Sequence, residues 1–162
     1  MNKVSFKQSS DLHEIAGRVY QEQRERIQKL IPWAEVHHIG STAIPGSITK
    51  GDLDINVRVP VENFDNAVKG LEKLYQINQP ENWTNNFASF KDDDNFDIAG
   101  GVQLTIMGSE SDDFIKLNDL LINDSQLLKE YNQMKEKFEG KDMEEYRKEK
   151  ANFFGKLRKQ FK

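Results

Sequence analysis

The chain contains no cysteine among its 162 residues. Disulfides, thiolate nucleophiles and zinc–cysteine sites are therefore excluded, and the usual mark of an oxidising compartment is missing. No apolar run approaches the ~18 residues that a membrane-spanning helix needs. The opening stretch MNKVSFKQSSDLHE lacks the apolar segment of a signal peptide, so no membrane partner and a cytoplasmic location are expected. Positive charge is not in excess either: 27 Asp and Glu outnumber 23 Lys and Arg, for a formal net charge of −4. A broad nucleic-acid surface, which needs a basic face to displace counterions from phosphates, is not expected. The P-loop, GxGxxG and GxSxG patterns are also lacking, which makes Ser41 a poor candidate for a hydrolase nucleophile.

What remains is a polar but foldable composition, 36% apolar and 31% charged, expected to form one domain over residues 1–162. Ser9 or Ser10 can cap a helix in which Leu12, Ile15, Val19, Ile27 and Leu30 form an apolar stripe that ends at Pro32. WAEVHHI reads as a strand, STAIPGSITKG as a turn-rich connection with one helical turn, and DLDINVRV as a second strand that stops at Pro60. Phe64, Ala67, Val68, Leu71 and Leu74 then recur at helical spacing, and NFASFK and VQLTIM add two strands around a polar loop. From Ser111 the pattern is helical only: SDDFIKLNDLLIN, DSQLLKEYNQMKEKFEG and DMEEYRKEKANFFGKLRKQF, each opening on Asp or Ser. Phe138, Tyr146, Phe153, Phe154 and Phe161 are expected to pack against the sheet rather than to form a partner groove. The expected fold class is α+β, a small mixed sheet flanked by helices with a helical C-terminal third.

The chemistry gathers in HHIGSTAIPGSITKGDLDINVRV. Alternation puts Asp52, Asp54, Asn56 and Arg58 on one face of the second strand and Leu53, Ile55, Val57 and Val59 on the other, the core face. Two neighbouring like charges repel, and a divalent cation relieves the conflict. Mg²⁺ is held by carboxylates, water and phosphate oxygens, so this spacing suits a metal–phosphate site, although such residues are also ordinary on the solvated face of an antiparallel sheet. Gly40-Ser41 closes the preceding strand, where glycine permits close approach of a phosphate and a helical turn aims free N–H groups at it; a plain capped turn is the alternative. Together the two features favour a nucleotide. His37 and His38 are adjacent on a strand, point to opposite faces and cannot chelate one ion together. His38, on the side of Val36 and Gly40, is the one placed to approach a phosphate, but a packed or partly exposed structural role is the expected one.

The run apolar-Gly40-Ser41 followed by Asp52-Leu53-Asp54-Ile55 resembles the signature of the nucleotidyltransferase (polymerase beta-like) superfamily. HIGSTAIPGSITK, Lys50, DFIKLNDLL and the pairs Tyr131 with Lys135 and Tyr146 with Lys150 are similar to the GrpB family (UPF0157) within that superfamily, over nearly the whole chain. The resemblance implies a nucleotidyltransferase-type sheet, with Gly40 and Ser41 on the triphosphate of a nucleoside triphosphate. It implies Asp52 and Asp54 as catalytic carboxylates and Mg²⁺ ligands, with Lys50 or Arg58 adding positive charge. Many family members carry an apolar residue where Asp52 stands, so this chain is nearer the catalytic pattern. The third carboxylate of the superfamily belongs on a later strand, however, where VQLTIM offers only Gln103 and Thr105 on one face, and Asp97 is a substitute only if that strand begins earlier. Nucleotide binding is thus better supported than transfer to an unidentified acceptor. The alternative is a catalytically inactive fold serving as a binding, regulatory or folding-assistance module for a protein partner, a role the family allows because some of its domains are fused to dephospho-coenzyme A kinase.

Overall fold

Leu53, Ile55, Val57 and Val59 are all at 0% exposure, and the strand they build is the one around which the other elements are arranged. A computed structural model describes residues 2–92 and 98–161, so Asp97 lies outside the described residues, as does the side chain of Phe161. In chain order the elements are β1 (Lys7–Gln8), α1 (His13–Leu30), β2 (Glu35–Ile39), β3 (Ile48–Thr49), β4 (Leu53–Val59) and α2 (Phe64–Leu74). They continue with β5 (Gln76–Ile77), β6 (Phe87–Asp92), β7 (Gly100–Ile106), α3 (Phe114–Asn123), α4 (Ser125–Glu136) and α5 (Met143–Arg158). The main sheet runs β2-β4-β7-β6-β5, and β1 pairs with β3 separately. β4 and β7 are parallel, and the other neighbours are antiparallel. The mixed sheet is thus as expected from the sequence, with the edge strand β5 added, too short to show any alternation.

The register explains the core. Ile55 pairs with Val102 and Val57 with Leu104, and these pair onward with Phe90 and Ala88, so one face is continuously apolar. Ala16, Val19 and Ile27 of α1 and Phe64, Ala67 and Leu71 of α2 pack on it. α1 starts later than its serines suggest, because Ser9–Leu12 forms a 3₁₀ turn without a side-chain cap and the Ser9 hydroxyl donates instead to the Ile44 carbonyl at 3.1 Å.

The opposite face is not the solvated surface that alternation alone suggests. Asn56 and Thr105 are both at 0% exposure, and the Asn56 amide donates to the Gln103 carbonyl at 3.0 Å and to Thr105 Oγ1 at 3.1 Å. Its polar groups are enclosed because the C-terminal helices fold back over it, with α3 against β2. Asp124 and Asp142 cap α4 and α5 by accepting from the Leu127 and Glu145 amides. A second core joins Ile44, Leu121, Tyr131, Tyr146, Phe138, Phe153 and Phe154 to Val4 near the N-terminus. The helix aromatics therefore pack among themselves and on the turn after β2 rather than flat on the sheet. No described helix is long and apolar enough to cross a membrane.

Candidate functional site

The end of β2 and the start of β4 are held together by a close approach that only glycine allows. Gly40 has φ +79°, and a Cβ added there would lie 2.4 Å from Asp54 Oδ2. The glycine that sequence reasoning placed near a phosphate is thus first the residue that admits the Asp54 carboxylate. Its N–H donates to Asn118 Oδ1 of α3 at 3.1 Å, and Ser41–Ala43 then forms a single 3₁₀ turn.

Two adjoining cavities meet at this point, of about 310 and about 300 Å³, and both are lined by Ser41, Asp54, Gln103, Arg147 and Lys150. The second also takes in Lys50, Asp52, Asn78, Gln79 and Tyr146, so its wall is polar. The first turns toward Ile44, Phe114, Leu117 and Phe154, so its wall is apolar. Gly40, Ser41, Lys50, Asp52 and Asp54, predicted from sequence, therefore surround one cleft between the sheet and α5.

Arg58 does not join them. Its Nε and Nη2 form a fork with Asp112 Oδ1 and Oδ2 at 2.6 and 2.7 Å, and its Nη1 reaches Glu35 at 2.7 Å. It is a clamp between β4, β2 and the segment before α3, and these carboxylates hold its pKa above the usual arginine value. His38 is likewise directed elsewhere: its register partner is Ile55, on the apolar face, its ring stacks on Tyr20, and its Nε2 pairs with Thr42 Oγ1 at 3.0 Å. Burial, with a contribution from His13, depresses its pKa to about 4, which keeps the imidazole neutral. The packed structural role expected for His38 is therefore what the structure shows, and it is His37 that shares the face of Asn56.

The charges in the cleft are strongly coupled. Burial pushes Asp54 up to about 6, reinforced by Asp52 and opposed by Lys150, Lys50 and Lys135. Lys50 pairs with Asp52 at 2.9 Å. Lys135, at 0% exposure, reaches Ser41 Oγ and the Ile48 carbonyl, each at 2.6 Å, and stands 4.0 Å from the centre of the Tyr131 ring. Burial, then the charges of Lys150 and Lys50, lower its pKa to about 6 against the pull of Asp54. Lys135, Arg147 and Lys150 were not assigned to the site from sequence, yet a signal was there. Tyr131 with Lys135 and Tyr146 with Lys150 each stand four apart on helices that follow one another, so each pair shares a helix face.

Mg²⁺ takes oxygen ligands and retains water. Asp52 and Asp54 supply carboxylates here, and Gln103 Oε1 is a buried oxygen without a hydrogen-bond partner, on the strand beside Asp54. The donor set suits this ion. No three His, Cys, Asp or Glu side chains gather into a metal cluster among the described residues, so phosphate oxygens would have to complete the coordination.

Comparison with known proteins agrees with this arrangement of elements. The sequence profile of the GrpB protein family matches residues 16–160. The UPF0157 protein VC_A0354 of Vibrio cholerae serotype O1 is 30% identical over 162 residues, covering 96% of this chain and 82% of that protein. The crystal structure of conserved protein GrpB from Enterococcus faecalis superposes with a TM-score of 0.71 at 15% identity, over 90% of this chain and 94% of that one. The Cid1 poly(U) polymerase bound to MgGTP superposes with a TM-score of 0.54 at 15% identity, over 76% of this chain and 41% of Cid1, and so shares the nucleotidyltransferase fold. With this sheet, these helices and a family match over nearly its full length, the chain belongs to the GrpB family.

Proposed function

We propose that this GrpB protein binds a nucleoside triphosphate together with Mg²⁺ in the cleft between the sheet and α5. The observation that carries the reading is the convergence of Asp52 and Asp54 with Lys50, Arg147 and Lys150 around Ser41. A triphosphate is the ligand that uses both signs at once, because its oxygens complete the shell of a cation on the two carboxylates while the lysines and arginine offset its remaining charge. Asp52 and Asp54, with Gln103 Oε1, would hold the metal, which when bound supplies Lewis-acid polarisation of the phosphates. Ser41 and the Gly40 turn orient the phosphates, and the apolar cavity beside Phe114 and Phe154 excludes water. The fold shared with Cid1, solved with MgGTP, supports the same reading.

Nucleotidyl transfer is the further step, and one observation favours the non-catalytic alternative: Gln103, which cannot act as a base, occupies β7 where the superfamily's third carboxylate is expected. Calorimetric titration with each of the common nucleoside triphosphates, with and without Mg²⁺, tests the binding. Saturable binding that needs the metal and is weakened at least about 10-fold in Asp52→Asn and Asp54→Asn is expected. Absence of binding by the folded protein in every combination would remove the nucleotide reading and leave the binding-module role.

A further inference from the structure

The residues that line the polar cavity but not the apolar one are Thr49, Lys50, Asp52, Asn78, Gln79 and Tyr146. Lys50 and Asp52 pair with each other at 2.9 Å, and the other four are hydroxyls and amides, so this end of the cleft is a hydrogen-bonding wall of balanced charge. The phosphates of a nucleotide have Arg147 and Lys150 in the stretch shared by the two cavities, and a planar base has the apolar cavity beside Phe114 and Phe154. Asn78 and Gln79 are left over. We propose that they form a second subsite, beside the nucleotide, for a small uncharged polyhydroxylated molecule such as a monosaccharide. This rests on the nucleotide-binding reading above for the use of the rest of the cleft.

The sheet register carries Asn78 to this wall. Asn56 pairs with Gln103 and Gln103 with Ser89, and the Asn78 N–H donates to the Ser89 carbonyl at 3.0 Å, so the segment after β5 extends the row of the sheet that contains Gln103. The Asn78 carbonyl accepts from Ser89 Oγ at 2.7 Å and from Trp83 Nε1 at 3.0 Å. Its backbone is thus fixed on both sides, while its side-chain amide makes no hydrogen bond among the described residues. Gln79 follows at φ +46°, the one non-glycine residue with a positive φ among those described. Its carbonyl accepts the Asn82 N–H at 2.9 Å, and its Oε1 has only a 3.5 Å contact from the Asn82 amide. Glycine adopts this conformation freely and a side chain resists it, so a glutamine held there, facing a cavity, points to use of its amide.

The chemistry of the two side chains selects the ligand class. Each amide offers a carbonyl acceptor and two N–H donors, and neighbouring hydroxyls, which both donate and accept, are their match. Neither side chain selects a charge. The exposed residues that lead away from the wall, Glu81 and Asn82 after Pro80, include no cation, so a nucleic-acid strand would find no track for its phosphates, and a free sugar is the source of hydroxyls that fits.

The test follows backbone amide NMR shifts of the full chain during titration with ribose, glucose, galactose and myo-inositol, each alone and with Mg²⁺ and a non-hydrolysable nucleoside triphosphate, beside calorimetry of the Mg²⁺–nucleotide itself. Saturable shifts at Asn78, Gln79 and Lys50 with at least one of these polyols are expected. Gln79→Gly, which suits the φ of +46°, should weaken that polyol at least about 10-fold without lowering the denaturation midpoint, and Asn78→Ala should weaken it similarly. Nucleotide binding with no response to any of the four, a polyol affinity unchanged in both variants, or shifts at these residues with a short RNA and no polyol would overturn this proposal and leave nucleotide binding standing. Polyol shifts at Asn78 without nucleotide binding would overturn the nucleotide reading alone; neither kind of binding would overturn both.

Discussion

At Gly40 one atom decides what the position tolerates. Alanine there meets Asp54 Oδ2 at 2.4 Å and must also adopt a φ of +79°, a conformation that costs a non-glycine residue about 1 kcal/mol before any clash. Gly40→Ala should lower stability by about 2 kcal/mol or more in denaturant titration, by forcing the turn and the carboxylate apart. Asp54 and Lys135 give the fold an unusual pH dependence. Asp54 holds its proton to about 6 when folded, against 3.8 ordinarily, so its contribution to stability falls as pH rises between those values. Lys135 loses its proton near 6 when folded, against 10.5 ordinarily, so its contribution rises with pH across that interval. His38, with its pKa lowered from 6.5 to about 4, works against Asp54 over the same interval, so denaturation midpoints measured across pH should change little between about 4 and 6 and climb above about 6. Asp54→Asn should uncover a rise from about pH 4 and Lys135→Met should flatten the limb above 6; unchanged slopes in both would contradict the burial of these charges. The aspartates were legible because strand alternation places side chains locally, whereas Lys135 meets Ser41 across 94 positions, a contact that no local pattern encodes.

Elements were the most readable scale. Helical spacing in Phe64, Ala67 and Leu71 and the Asp caps of α4 and α5 correspond to what folds. Where capping failed as a guide, a tertiary partner had taken the residue: Asp113 precedes α3 but pairs with Arg158 at 2.6 Å instead of capping. Strand alternation correctly divided the faces of β4 but could not say that helices return to cover the polar one, which is why Arg58 was placed in the cleft and is found clamped to Asp112 and Glu35. Arg58→Ala should therefore cost about 2 kcal/mol in stability, by stranding the Asp112 carboxylate, while leaving nucleotide affinity unchanged in titration. Asp142→Ala should remove the cap of α5 and about 1 kcal/mol of stability. Since α5 carries Arg147 and Lys150, nucleotide binding should weaken with it, and calorimetry on the two variants would separate clamp from site.

At the scale of the whole molecule, the sheet and α1 with α2 form one packed unit, and α3–α5 with the N-terminal segment form a second core; the cleft lies where the two meet. Under the nucleotide proposal, that placement is how a chain of net charge −4 would receive an anion, since Lys50, Arg147 and Lys150 outnumber Asp52 and Asp54 around the cavity. Backbone amide NMR titration of the full chain with Mg²⁺ and a non-hydrolysable nucleoside triphosphate tests this most directly. The account predicts saturable shifts at Gly40, Ser41 and the start of β4, together with residues of α5 around Lys150, and little change along α1 and α2. Shifts centred on another face, or none at saturating ligand, would contradict it.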